Sequence, residues 1–369
     1  MSNDKNGEYV GDFEIGLYTF GDLAPDLNKG GAANAHQRVK EIVAAAKLAD
    51  EAGLDVFGIG EHHRLDMAVS SPPVVLAAIA QATRSIRLIS ATTVLSTADP
   101  VKVFQDFATV DQLSDGRAEI IAGRGAFVES FPLFGYDLDD YEQLFSEKIE
   151  LLLKLGNNEH ISWNGRFRTP LDHAEIAPRP VQQRLPVWIG VGGTPESAAR
   201  AGRLGTGMSL AILGGDPARF KHLVDIYRQA GTQAGHDLQD LKVAVATHGY
   251  IAKTTDQALD EFLPHYMAYF GKLMRERGRA FTMSRDELKR MTGADMALAV
   301  GSPEQIIEKL LYQHEVFGHC RYMAQIDIGG QPFAKVAEAI ELLAKEVAPV
   351  VRREIRRRQA GTRDSKNGV

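Results

Sequence analysis

Four short runs hold most of the side chains able to do chemistry. Glu61-His62-His63 sets a carboxylate beside two imidazoles, groups that exchange protons near neutral pH. Arg124 lies between Gly123 and Gly125, and glycine neighbours let an anion come close to a guanidinium fork. Gly192-Gly193-Thr194 runs into Pro195. A glycine-rich turn leading into a helix offers free N–H groups and a positive dipole end to a phosphate or carboxylate. Ala91-Thr92-Thr93 closes an apolar run, Thr247-His248 lies within another, and Asp327 ends a third. A metal centre built on the first run would need His36 or His248 as added ligands, but that spacing matches no common zinc motif, so no metal is expected. Each run also has a bland reading: a strand-end pair bonded to backbone, a rim ion pair, a tight turn.

Short apolar runs alternate with amphipathic stretches, and this alternation must place those residues. Strands are expected at residues 13–19, 55–60, 86–93, 117–122, 186–190, 207–213, 243–251 and 321–328. Helices are expected between them, several with proline at the start and glycine just past the end. Eight strand–helix units predict a (β/α)8 TIM barrel of the α/β class, with a doubly wound open sheet as the alternative, because counting units does not reveal closure. In such a barrel the strands end at the catalytic face, where all four runs would gather. His62 and His63 would point to opposite faces if their strand continues through them.

Two stretches exceed the barrel's needs. Residues 160–183, with Asn164-Gly165 between β-prone runs, read as an inserted hairpin. Residues 254–300, rich in Met, Arg, Phe and Tyr, read as extra helices forming a lid over the barrel mouth before the eighth strand. One barrel domain is expected over residues 1–351. Residues 352–369 form a basic tail with seven Lys/Arg against two acids, read as a solvated helix end.

Composition excludes several classes. The 369 residues are 44% apolar and 24% charged, as in ordinary globular proteins. The net charge of −6 does not favour nucleic acid as a partner. Cys320 is the single cysteine, which excludes an internal disulfide and a multi-thiolate zinc site. No apolar run approaches the roughly 20 residues of a membrane helix. The polar, acidic start MSNDKNGEYVGD is unlike a signal peptide, so a cytoplasmic location is expected.

Taken in order, EHHRLD, SSPP, ISATTVLSTADPVKVFQDFATVDQLSDGRAEIIAGRG, LPVWIGVGGTPESAARAG and VGSPEQIIEKL resemble the bacterial luciferase-like monooxygenases, flavin-dependent TIM barrels, over about residues 13–351. The resemblance implies that His62 is the catalytic histidine beside the flavin, with Glu61 and His63 as neighbours. It implies that Ala91–Thr92 is a non-prolyl cis peptide under the isoalloxazine, that Arg124 binds the FMN phosphate, and that Gly192, Gly193 and Thr194 cap it. Light-emitting members carry a cysteine where this chain has Gly123, so light emission is not expected. The activity implied is oxygenation of a small organic substrate by O2 and reduced FMN, with the protein a homodimer. Because the sequence shows no nucleotide-binding domain of its own, the reduced flavin is expected from a separate NAD(P)H:flavin reductase, with NAD(P)H binding at the same site as the alternative. The alternatives are a deazaflavin-dependent dehydrogenase or reductase on the same barrel, a metal-dependent hydrolase using His62, His63 and His248, and a flavin-binding protein without activity.

Overall fold

The computed structural model describes residues 13–23, 34–125 and 127–367, with side chains to residue 360. The reading of residues 1–12 and of the tail's last side chains lies outside the described residues. The first half runs β1 (Glu14–Thr19), α1 (Ala35–Glu51), β2 (Val56–Ile59), α2 (Pro72–Ala82), β3 (Arg87–Ser90), β4 (Thr93–Val94), α3 (Pro100–Leu113), β5 (Ala118–Gly123), α4 (Ser130–Phe134) and α5 (Tyr141–Asn157). Then come β6 (His160–Trp163), β7 (Leu171–Glu175), β8 (Val187–Val191), α6 (Pro195–Arg203), β9 (Gly207–Ala211), α7 (Lys221–Gln233) and β10 (Val243–Ile251). The chain closes with α8 (Thr255–Glu276), α9 (Arg285–Met291), β11 (Ala299–Gly301), α10 (Pro303–Phe317), β12 (Arg321–Gln325), α11 (Phe333–Leu342) and α12 (Ala348–Asn367).

Strand β12 pairs in parallel with both β1 and β10. The path β1-β2-β3-β5-β8-β9-β10-β12 therefore returns to its start as an eight-stranded parallel barrel, the α/β TIM-barrel fold, and the open sheet is excluded. Helices cover the outside and side chains fill the inside, so strands such as β10 are buried along their whole length. Local signals agree with this. Asp99 caps α3 by accepting from the Val101 and Lys102 N–H groups, with Pro100 in the first turn.

The barrel's N-terminal end is plugged by charge. Arg321 forms a two-pronged pair with Glu119 at 2.6 and 3.0 Å and a further bond to Glu14 at 2.7 Å. The Trp188 indole N–H donates to Glu119 at 2.9 Å, and the Arg321 guanidinium lies 4.6 Å from the Trp188 ring centre. Partners on several sides offset the desolvation of these buried charges. A cleft can thus open only at the other end, where the strands finish.

The inserted hairpin is present as the antiparallel pair β6–β7. The surplus at 254–300 holds α8 and α9, then β11, which runs parallel to the end of β10 with Gly249 opposite Ala299. Helix α8 reaches across the barrel's C-terminal end. His265 bonds the Gly329 carbonyl, Lys272 pairs with Asp66, and Glu276 pairs with Arg64. The helix that packs outside the barrel between its last two strands is α10, ended by Gly318 at φ +59°. The basic segment continues the closing helix through residue 352. Val347, Val351 and Ile355, one turn apart, are buried, and Arg352 pairs with Asp55 at 2.5 Å. Among the described residues no helix is long and apolar enough to cross a membrane.

Candidate active site

A cleft of about 630 Å³ opens at the C-terminal ends of the strands, within the range of small-molecule and cofactor sites. All four runs reach it: Glu61, His62, His63, Ala91, Thr92, Gly123, Arg124, Gly192 and Thr194 line it, and Gly193 does not.

Strand β2 ends at Ile59, so pleat alternation does not apply to the run that follows. The alternation expected of His62 and His63 therefore has no strand to rest on, and both residues line the cleft. Their surroundings still separate them. The His62 ring sits between Phe20 (4.9 Å) and Phe127 (5.3 Å), and its Nδ1 is buried without a partner. Burial, helped by Arg64, lowers its pKa to about 4, so the imidazole is neutral at physiological pH. His63 Nε2 bonds one Glu61 oxygen at 2.8 Å, and its ring meets Phe134 edge-on. The other Glu61 oxygen accepts the Val94 N–H at 2.9 Å. Glu61 thus ties the second strand end to the third, and His63 is fixed by it.

The expected third strand breaks into β3 and β4 around a cis peptide between Ala91 and Thr92. Two neighbouring strands make room for the Thr92 side chain with glycines. A Cβ on Gly123 would stand 2.5 Å from Thr92 Oγ1, and one on Gly190 would stand 3.1 Å from Thr92 Cγ2. A cysteine at this place therefore does not fit here unless Thr92 moves. Gly123→Cys is expected to lower stability by about 1–3 kcal/mol, the usual effect of overpacking. A thermal unfolding curve unchanged from wild type would contradict that crowding.

At the other side of the cleft, Arg124 and Arg200 both grip the Glu142 carboxylate. Arg124 also donates to Thr194 Oγ1 at 3.3 Å and lies over the Tyr141 ring. Burial alone would raise the Glu142 carboxyl, but Arg200 and Arg124 together hold it below its usual range. Arg200 Nη1 and Ser197 Oγ are buried without partners. Thr194, the N-cap of α6, makes no capping bond with its side chain. A Cβ on Gly192 or Gly193 would meet nothing within 4 Å, and Gly193 has φ +135°. Two guanidiniums, one of them with an unused Nη1, the orphaned Ser197 hydroxyl and an open glycine turn at a helix start fit a phosphate.

Sequence reasoning missed Arg200, Ser197 and Glu142. The first two carried a partial signal, since Ser197 and Arg200 are three residues apart on the helix that Thr194 precedes. Glu142 carried none, because only tertiary packing brings α5 to α6. His248 does not join the cleft. Burial lowers its pKa to about 4, and Tyr266, Tyr269 and Phe270 surround it. Among the described residues, no three His, Cys, Asp or Glu side chains are placed to hold a metal ion.

Comparison with known proteins bears on the family and the fold. The family model for luciferase-like monooxygenases matches residues 13–320. The chain is 25% identical to the oxygenase component of flavin-dependent trigonelline monooxygenase from Acinetobacter baylyi, over 85% of this chain and 90% of that one. Among solved structures, it is similar to the oxygenating constituent of 3,6-diketocamphane monooxygenase from Pseudomonas putida in complex with FMN. There the TM-score is 0.76 at 20% identity, covering 92% of this chain and 99% of that one. It is similar in fold also to an F420-dependent secondary alcohol dehydrogenase, with TM-score 0.70 at 17% identity and the same coverage. With the family model spanning most of its length, this chain belongs to the luciferase-like monooxygenases and is an oxidoreductase.

Proposed function

We propose that the enzyme uses FMN, with the phosphate at Arg124, Arg200, Ser197 and the Gly192–Thr194 turn and the ring system at the Ala91–Thr92 peptide. The observation that carries this reading is Arg124 beside the open Gly192–Thr194 turn, both lining the cleft, with the partnerless Ser197 Oγ and Arg200 Nη1 on the helix that the turn begins. When bound in reduced form, the flavin supplies the electrons that activate O2 for insertion into a small organic substrate. His62 holds or moves a proton at the reacting end, Glu61 positions the strand ends, Gly123 and Thr92 shape the ring's seat, and the aromatic side chains of α8 help exclude water.

The related A. baylyi protein is named an oxygenase component, which favours delivery of reduced flavin by a separate reductase. The single thiol, buried and free, suits the cytoplasm. The experiment is to release the cofactor from purified protein and chromatograph it, then supply enzymatically reduced FMN under air with candidate substrates. FMN in the released fraction and oxygen-dependent product support the reading. A deazaflavin, with hydride transfer indifferent to oxygen, replaces it.

We also infer a homodimer through α2 and α3, where Val74 is 69% and Leu113 41% exposed. Sedimentation at micromolar concentration should give twice the 40.4 kDa chain mass. A species at the chain mass itself would overturn the dimer.

A further inference from the structure

A second cavity, of about 410 Å³, lies beside the cleft between the loops after β1 and β2 and helix α8. Phe127 lines both spaces. Its ring stands 5.3 Å from the His62 ring and 5.2 Å from the Arg64 guanidinium. Nothing in the flavin reading uses this cavity.

Asp22 lines it and is buried, 4% exposed. One carboxylate oxygen accepts the Gly329 N–H at 2.6 Å, and the other, Oδ1, is buried with no partner. Behind it, Arg38 pairs with Asp327 at 2.5 Å, and Asp327 Oδ1 is likewise partnerless. Two buried carboxylates thus lie near one guanidinium, which pairs with Asp327 and acts on Asp22 only through space. Asp22 therefore has no cation in hydrogen-bond contact, an arrangement that is costly unless something completes it. Three basic side chains, Arg64, Lys272 and Arg275, line the cavity and none of them bonds Asp22; the first two are committed elsewhere. Arg64 is held by Asp66 at 2.9 Å and Glu276 at 2.6 Å, and Lys272 by Asp66 at 2.8 Å.

Asp22 cannot swing away to find a partner. Its loop is fastened to the next one by bonds from Leu23 N–H to the Asp66 carbonyl (2.7 Å) and from Ala68 N–H to the Gly21 carbonyl (2.8 Å). Burial raises its carboxyl to about 6, against the pull of Arg38 and with the push of Asp327, which leaves it ionised above neutrality. Two rings, Phe127 and Tyr269, share the cavity with it. An acid that needs a donor, beside aromatic surface, matches an alkylammonium group.

We propose that this cavity is the subsite for a protonated amine, bound at Asp22, on a substrate whose apolar body passes Phe127 into the flavin cleft. The amine site stands on Asp22 and its cavity; only the passage into the cleft rests on the flavin reading. An amine at one end and an oxidisable apolar body at the other is thus the substrate class assigned.

The test is calorimetric titration of the full chain, with and without FMN, using 2-phenylethylammonium and the neutral 2-phenylethanol. A charge-assisted bond should make the amine bind roughly ten- to a hundred-fold tighter than the alcohol. Asp22→Asn should abolish that preference while FMN affinity stays at wild type. Tyr269→Leu should weaken the amine by roughly two- to thirty-fold without weakening FMN. Equal affinity for amine and alcohol in the wild type, or a preference that survives Asp22→Asn, overturns the proposal. If Asp22→Asn does not fold, the wild-type preference and the response of Tyr269→Leu decide between the two outcomes. Asp22-dependent amine binding without any FMN binding would keep this site and remove the flavin reading. FMN binding without an amine preference would do the reverse.

Discussion

Arg124→Ala is expected to weaken FMN binding roughly ten- to a hundred-fold while leaving riboflavin, which has no phosphate, at wild-type affinity. The size follows from the loss of one charge-assisted contact at a site that keeps a second cation, Arg200. The Glu142 carboxylate, gripped by both guanidiniums, sets the limits. Any phosphate competes with it for the same donors, so the net contribution of Arg124 is smaller than that of a free guanidinium. Removing Arg124 also leaves Glu142 facing the phosphate with only Arg200 to neutralise it, which works in the opposite direction. The two ligands separate the contributions, because in the proposed placement Glu142 and Arg124 act on the phosphate alone. Quenching of flavin fluorescence during titration reads both affinities. Wild-type FMN affinity in the variant, or an equal loss for riboflavin, would sink the placement.

The barrel is legible in the sequence because its strands are short apolar runs that must be buried on both faces, and because proline and glycine punctuate its helices. The seventh strand, Val243–Ile251, coincides with the sequence reading. Helix α10 escapes that reading although Pro303 and Gly318 mark its ends. The Met- and aromatic-rich surplus is read as ending at Val300, and the stretch between it and the eighth strand is given no helix of its own. That Asp22, Arg38 and Asp327 meet is not legible at all. Arg38 lies on α1 and Asp327 just past β12, and the barrel joins them only because its last strand pairs with its first. The differing surroundings of the two histidines are also out of reach, since they depend on where β2 stops and on which rings arrive from Phe20 and Phe127.

His62→Ala is expected to lower product formation by about 10²–10⁴-fold, the usual contribution of a general acid or base, with FMN affinity near wild type. The reason is location: His62 stands among apolar rings with an unused Nδ1, whereas the donors proposed for the phosphate lie on α6 and in the turns after β5 and β8. Its depressed pKa, about 4, adds a condition. Neutral imidazole persists from pH 5 to 8, so the loss should be the same across that window, with no break near the ordinary histidine value of about 6.5. His63→Ala is the control. It frees one Glu61 oxygen but leaves the bond from Val94 N–H to the other, so turnover should change little. His62→Gln separates proton transfer from simple hydrogen bonding, because an amide donates a hydrogen bond yet does not titrate in this range. If Gln restores the rate, His62 only orients its neighbour. If His63→Ala loses turnover while His62→Ala keeps it, the two imidazoles have been assigned the wrong way round. Should neither matter, with both variants melting as the wild type does, the Glu-His-His run is structural. The proton chemistry would then have to come from the other titratable groups that line the cleft, Tyr18, Glu129 and Tyr141.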